Sequence, residues 1–184
     1  MRAAMIVATV VFLASTSLVL ACGKERWPVK TGTDADAGSV VTVAQVARIG
    51  DLAALPAPAD PNAQPNSRFA PIETSTFSIT AVLSVIKREK DEDYHLVISD
   101  PNDPSVTMIV ESPNPDCAVG SVFANQIADV RMAIDDQFGP IQRKRRPGIP
   151  VIVTGVGFFD VLHGQEGVAP NGIELHPLLS IFFQ

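Results

Sequence analysis

Val151-Ile152-Val153-Thr154-Gly155-Val156-Gly157-Phe158-Phe159 is the stretch that decides how this chain folds. It carries no charge and is rich in β-branched and aromatic side chains, so it reads as a central strand covered on both faces. Gly155 and Gly157 interrupt it. Glycine inside such a strand marks a tight bend or a close approach of another backbone, which suits the sharp coiling of a small barrel.

Working outward, Pro147-Gly148 and the basic run Arg143-Lys144-Arg145-Arg146 precede the strand. Before them the pattern predicts a helix over Val119 to Phe138. Phe123, Ile127, Val130, Ile134 and Phe138 recur at helical spacing on one stripe, and Gly139-Pro140 stops it. Downstream, a glycine-rich loop from His163 to Asn171 leads to a last strand, Ile173 to Phe182. Further upstream, Thr76 to Lys87 alternates, with Phe77, Ile79, Ala81, Leu83 and Val85 on one face. The charged turn Lys87–Asp93 separates it from Tyr94 to Ser99. Asp100-Pro101-Asn102-Asp103-Pro104 separates that strand from Val106 to Glu111.

Three strands, one helix and two strands is the order of an oligonucleotide/oligosaccharide-binding (OB) barrel. We therefore expect a β-rich α+β fold, a five-stranded OB-like antiparallel barrel with a small N-terminal extension. An open antiparallel sheet with one packed helix is the alternative. The OB-like domain is assigned to residues 73–184 and a proline-rich linker to 53–72, where Pro56, Pro58, Pro61, Pro65 and Pro71 forbid regular structure. An N-terminal extension occupies 22–52. In it, Thr42-Val43-Ala44-Gln45 has the form of a capping box opening a short helix through Ile49-Gly50. Asp34-Ala35-Asp36-Ala37-Gly38 reads as a turn. Its spaced aspartates lack the glutamate a calcium loop places at its twelfth position, where Gln45 stands.

Residues 1–21 read as an export signal. Arg2 is followed by an uncharged run from Ala3 to Leu20. Val19-Leu20-Ala21-Cys22 resembles a bacterial lipobox, which makes Cys22 the lipid-bearing first residue of the mature chain. The same residues offer Val19-x-Ala21 to an ordinary signal peptidase, and an apolar run of about 20 residues is also long enough to stay as an anchor. The expectation is an exported lipoprotein held to the membrane by its N-terminal lipid. Gly23 after Cys22 favours the outer membrane, facing the periplasm, in a Gram-negative host. The chain has two cysteines. A lipid on Cys22 leaves Cys117 alone; without it, a Cys22–Cys117 bridge can form in an oxidising compartment.

The 184 residues carry a net charge of −6, which makes the chain a poor candidate for a general nucleic-acid binder. Its hydrophobic content of 46% and charged content of 18% belong to a globular chain rather than a disordered one. At the level of local sequence, Trp27-Pro28-Val29-Lys30-Thr31-Gly32-Thr33-Asp34, Asp93-Tyr94-His95-Leu96-Val97-Ile98, Thr107-Met108-Ile109-Val110-Glu111 and Thr154 through Pro177 resemble a group of exported bacterial proteins. The resemblance covers nearly all of the mature chain and implies export, without implying an activity. The element order is also similar to the staphylococcal-nuclease-like OB branch. The arginine, aspartate and glutamate pattern of that branch cannot be placed here residue by residue.

OB ligands usually lie against the second and third strands, between the first and fourth interstrand loops. Here that predicts a ligand-binding set of Lys87, Arg88, Lys90, His95, Asp160, His163 and Gln165. Arg143, Lys144, Arg145 and Arg146 form a basic patch for an anionic ligand or envelope partner, or else a loop that closes a helix C-terminus. His95, His163 and His176 with Asp160 supply metal-ligand chemistry, but no spacing forces them together, so no metal and no cofactor is assigned. No catalytic motif is present, and no catalytic residue is assigned. The first functional expectation is a binding or interaction module of the cell envelope. The alternative is a metal-assisted hydrolase using Asp160, His163 and His95. Oligomeric state is not legible.

Overall fold

The computed structural model describes residues 22–184, so the export signal read at residues 1–21 lies outside the described residues. The chain contributes six strands: β1 (Val41–Val46), β2 (Ser75–Arg88), β3 (Tyr94–Ser99), β4 (Thr107–Ser112), β5 (Ile149–Phe159) and β6 (Ile173–Phe183). Three helices accompany them: α1 (Trp27–Thr31), α2 (Ile49–Ala53) and α3 (Ala124–Phe138).

Strands β2 to β6 close on themselves in the order β2-β3-β4-β6-β5, with β5 returning to β2. The long first barrel strand makes closure work. Its first part, Thr76–Leu83, pairs with β5, and its second part, Val82–Arg88, pairs with β3. The other seam is the parallel pairing of β4 with β6, through Ile109↔Glu174 and Val110↔Leu175. With α3 between β4 and β5, this is an OB-like barrel, and the open-sheet alternative does not hold.

The inward face holds Leu83, Leu96, Ile98, Met108, Val110, Val153 and Leu175, together with Val130 and Ile134 from α3. Burial of this set supplies the main driving force, roughly 1.5–3 kcal/mol for each large apolar side chain. Close approach explains the two strand glycines. A Cβ at Gly157 would stand 2.6 Å from the Ile72 carbonyl oxygen, and one at Gly155 would stand 2.9 Å from that of Pro177. The β5–β6 register shifts on both sides of Gly155.

Two expectations need correction. The segment 41–46 is a strand, not the start of a helix. β3 does not cover the beginning of β2, and β1 takes that open edge in parallel, through Val41↔Ser75 and Val46↔Ser78. Pairing with an available edge outweighs the local capping signal, and valines suit a strand. Their side chains point outward, with Val43 78% and Val46 92% exposed. The helix begins later, as α2, and buries Ile49 and Leu52. The long helix starts at Ala124 rather than Val119, because Val119 and Val122 lie in an exposed turn.

Apart from Ala53, which ends α2, and short 3₁₀ turns, the linker 53–72 is irregular, and it carries a buried side chain. Arg68 is buried and donates to both carboxylate oxygens of Asp34, at 3.0 and 2.6 Å. Asp34 is thereby committed to an arginine, which leaves the 34–38 segment a turn. No helix among the described residues is long and apolar enough to cross a membrane.

Candidate functional site: a polar cleft on the outer face of the barrel

In β3, β4 and β6 the apolar positions that face the core alternate with polar ones that face out. Those outer positions include His95 on β3, Glu111 on β4, and Glu174 and His176 on β6. His95 and Glu111 stand directly opposite each other in the ladder. The β4–β6 register brings Glu111 alongside His176. An outer barrel face of this kind normally meets solvent, yet His95, Glu174 and His176 are all buried.

The chain's own N-terminal segment provides part of the cover. Arg26 is its main fastening. The guanidinium donates to both oxygens of Glu73 at 2.7 Å and to the carbonyls of Phe159, Ser67 and Gln64. It also stacks over the Phe158 ring, 4.7 Å from the centroid. Glu73 accepts two more bonds, from the backbone N–H groups of Phe69 and Phe159. The pair is thus buried and fully satisfied, the condition under which a buried ion pair is tolerated. Its geometry holds Arg26 at φ 48°, a left-handed conformation that a non-glycine residue adopts only when the surroundings impose it.

A disulfide joins Cys22 to Cys117, just after β4, with Cα atoms 5.6 Å apart. The sequence left two states open for Cys22, and the structure has the pairing one. A lipid thioether and this disulfide need the same sulfur, so the expected lipid on Cys22 with an unpaired Cys117 and the observed bond exclude each other.

Between the N-terminal segment, the β2–β3 hairpin and the β5–β6 loop lies a cleft of about 560 Å³. Six of the seven residues expected at the ligand face line it: Lys87, Lys90, His95, Asp160, His163 and Gln165. Arg88 does not, because it turns to Glu92 at 2.9 Å. The sequence reading missed Trp27, Lys30, Glu111 and Glu174, which also line the cleft. The last two were detectable as lone charges in apolar strands. Trp27 and Lys30 arrive by a long-range docking that leaves no periodic trace.

The floor is strongly coupled. Burial alone would lower the Lys30 ammonium, but Asp160, Glu111 and Glu174 around it outweigh that and hold it above the usual lysine value. Lys30 Nζ lies 3.4 Å from Asp160 Oδ2. Burial would raise Glu111, yet the hydrogen bond from His95, the neighbouring His176 and Lys30 hold it down at about 2. Burial, then the charges of Glu111 and Asp160, push Glu174 well above the carboxylate range. Burial, reinforced by Asp91, pushes Asp93 up to about 8, and burial lowers His176 to about 3.

His95, Asp160 and His163 share the cleft without forming one ligand set. His95 places Nδ1 2.8 Å from Glu111 and Nε2 3.2 Å from the Glu166 carbonyl, Asp160 faces Lys30, and His163 is exposed at the rim. Among the described residues, the group able to bring three ligand atoms together is Asp93, Glu111 and His176. The basic run is partly committed to structure. Lys144 and Arg146 hold Glu166 at 2.6 and 3.0 Å, fastening the β5–β6 loop beside His95. Arg145 donates to the Phe138 carbonyl at the C-terminus of α3, where the helix dipole favours a cation.

Fold and site together define an OB-like barrel with a polar cleft on its outer face. No protein-family model and no curated protein matches the chain. Among solved structures, an OBody bound to hen egg-white lysozyme is similar with a TM-score of 0.40 and 10% identity. That similarity covers 61% of this chain and 83% of that one.

Proposed function

We propose that this chain is an exported binding module of the cell envelope, and that its cleft takes an uncharged, hydroxyl-rich ligand of the oligosaccharide class. The observation that carries this is the lining. Half-buried Trp27 offers an aromatic face beside a dense set of acceptors and donors, among them Glu111, Asp160, Lys87, Lys90 and Gln165. A concave site with an aromatic wall and convergent polar groups suits a ligand with both a flat apolar face and many hydroxyls. Carboxylates outnumber lysines around the cleft, which opposes a polyphosphate backbone.

Export is supported by Arg2 and the uncharged run to Leu20, and a disulfide is the bond expected of an oxidising compartment. With Cys22 in that bond, we favour a chain cut after Ala21 and released. The lipid-anchored form, in which Cys117 would be a free thiol, is its competitor.

The test is calorimetric titration of the purified exported protein with a panel of oligosaccharides and of single-stranded oligonucleotides. Oligosaccharide binding that weakens about tenfold or more in Trp27→Ala, ~1.4 kcal/mol, is expected. Preference for an oligonucleotide would refute the ligand class, and silence across the whole panel would refute the binding module.

A hydrolase acting on the same ligand class is the second reading. It is favoured by one observation: Glu111, on the cleft floor, also belongs to the Asp93–Glu111–His176 group. Product released from a bound oligosaccharide would decide for it.

A further inference from the structure

Asp93 is a buried carboxylate that makes no hydrogen bond or ion pair with a lysine or arginine. Lys30 serves Asp160, Glu111 and Glu174. The cation acting on Asp93 is Arg131, whose guanidinium hydrogen bonds go to the carbonyls of Glu92 and Ser112. Buried charges are either paired or ligate a metal, because the alternative is to give up the charge.

The orientations are as informative as the charges. Asp93 anchors one oxygen, Oδ1, on the backbone N–H of Asn114 at 2.8 Å, while its Oδ2 has no hydrogen-bond partner. Glu111 anchors Oε1 on His95 Nδ1 at 2.8 Å and turns Oε2 toward His176, 3.3 Å from Nδ1. His176 lies between the two carboxylates, with Nε2 3.8 Å from Asp93 Oδ2, and neither ring nitrogen has a hydrogen-bond partner. The side chains of Asp93 and His176 are each 1% exposed. One ligand atom from each of the three residues lies within 4.8 Å of the others. Ligands of a four-coordinate zinc, each at about 2.0–2.2 Å, stand roughly 3.4 Å apart, so the group needs to contract by about 1.4 Å at its widest.

We propose that Asp93, Glu111 and His176 bind one divalent ion of the zinc class beneath the cleft floor. One imidazole with two carboxylate oxygens suits a borderline ion. Calcium and magnesium demand six or more oxygens or water. His95 and the Asn114 backbone then serve as the outer contacts that aim the two carboxylates. The site stands whether or not the cleft takes an oligosaccharide.

The purified protein, freed of tags and stripped with a chelator, is titrated with ZnCl₂, and in separate runs with CaCl₂ and MgCl₂. One equivalent of zinc is expected, with affinity lowered about tenfold or more in Asp93→Asn and in Glu111→Gln. Asp103→Asn, altered in the exposed turn between β3 and β4, binds as the unchanged protein does. Circular dichroism establishes that each variant is folded. Should Asp93→Asn not fold, Glu111→Gln, whose side chain is 14% exposed, decides the matter alone. Absence of zinc uptake, undiminished uptake in folded Glu111→Gln, or preference for calcium or magnesium each overturns the proposal.

Discussion

Arg26 and Glu73, 47 residues apart in the chain, form a two-pronged ion pair with both N···O distances at 2.7 Å and side-chain exposures of 1% and 0%. The pair joins the N-terminal segment to the mouth of the barrel. Glu73→Gln would leave a buried guanidinium without its counter-charge, a loss of about 3–5 kcal/mol. The double change Arg26→Met with Glu73→Gln removes the stranded charge and is expected to be no less stable than Glu73→Gln alone. Urea denaturation of Glu73→Gln, Arg26→Met and the double variant measures this; additive losses would mean that the two residues act independently.

The disulfide spans a sequence separation of 95 residues. Replacing both cysteines, Cys22→Ser with Cys117→Ser, is expected to cost about 2–4 kcal/mol. Trp27 is the chain's one tryptophan and sits between Cys22 and Lys30, so its emission follows the N-terminal segment alone. A red shift in the double-serine variant, with the far-ultraviolet circular dichroism of the barrel retained, would show that the bond seats the segment. An unchanged emission maximum would show that Arg26 suffices.

Intact mass separates the two fates of Cys22. We expect a mature chain starting at Cys22 without diacylglycerol and two hydrogens lighter than its reduced form. A diacylglycerol mass on that residue, with Cys117 open to alkylation, would restore the lipid anchor and exclude the disulfide.

Stability of the metal-free protein should fall as pH rises. Asp93 has its carboxyl raised from 3.8 to about 8. The folded chain therefore holds a proton that the unfolded chain has released, and that contribution is complete below about pH 4 and lost on passing pH 8. Glu174 shifts in the same direction. Glu111, lowered to about 2, acts oppositely, but its contribution is already complete above its ordinary value of 4.5. His176, lowered from 6.5 to about 3, also acts oppositely, adding stability up to about pH 6.5, and Asp93 and Glu174 together outweigh it. With chelator present, the folding free energy should drop by ~1.4 kcal/mol or more between about pH 5 and about pH 8. Asp93→Asn should flatten that slope; an equal slope in the variant would place the effect elsewhere.

The barrel was legible because its strands alternate and its helix keeps one apolar stripe. Phe77, Ile79, Ala81 and Leu83 announce a face, and Phe123, Ile127, Val130 and Ile134 announce another. Both loops of the cleft could be placed from that order alone, which is why Lys87, Lys90, His95, Asp160, His163 and Gln165 were found. What escaped depends on distance in the chain. The edge that β1 occupies exists only after β2 has bent between two neighbours. Lys30 reaches Asp160 across 130 positions, with no spacing to betray it. Glu111 and Glu174 stand in strands whose apolar face dominates the pattern, and His176 is named for metal chemistry only with His95, His163 and Asp160, whereas it meets Asp93 and Glu111. Nothing in the strand pattern shows that the N-terminal segment lies across the polar face.

That segment also fixes an order of events. Made from its N-terminus, the chain delivers Arg26 well before Glu73, Cys22 before Cys117, and Lys30 before Asp160 and Glu174. The first part of the chain to arrive must wait, unseated, until the last strand has emerged. One wall of the cleft is therefore first to be made and last to be set in place, so the barrel can be assembled while its outer face is still open to whatever the compartment holds.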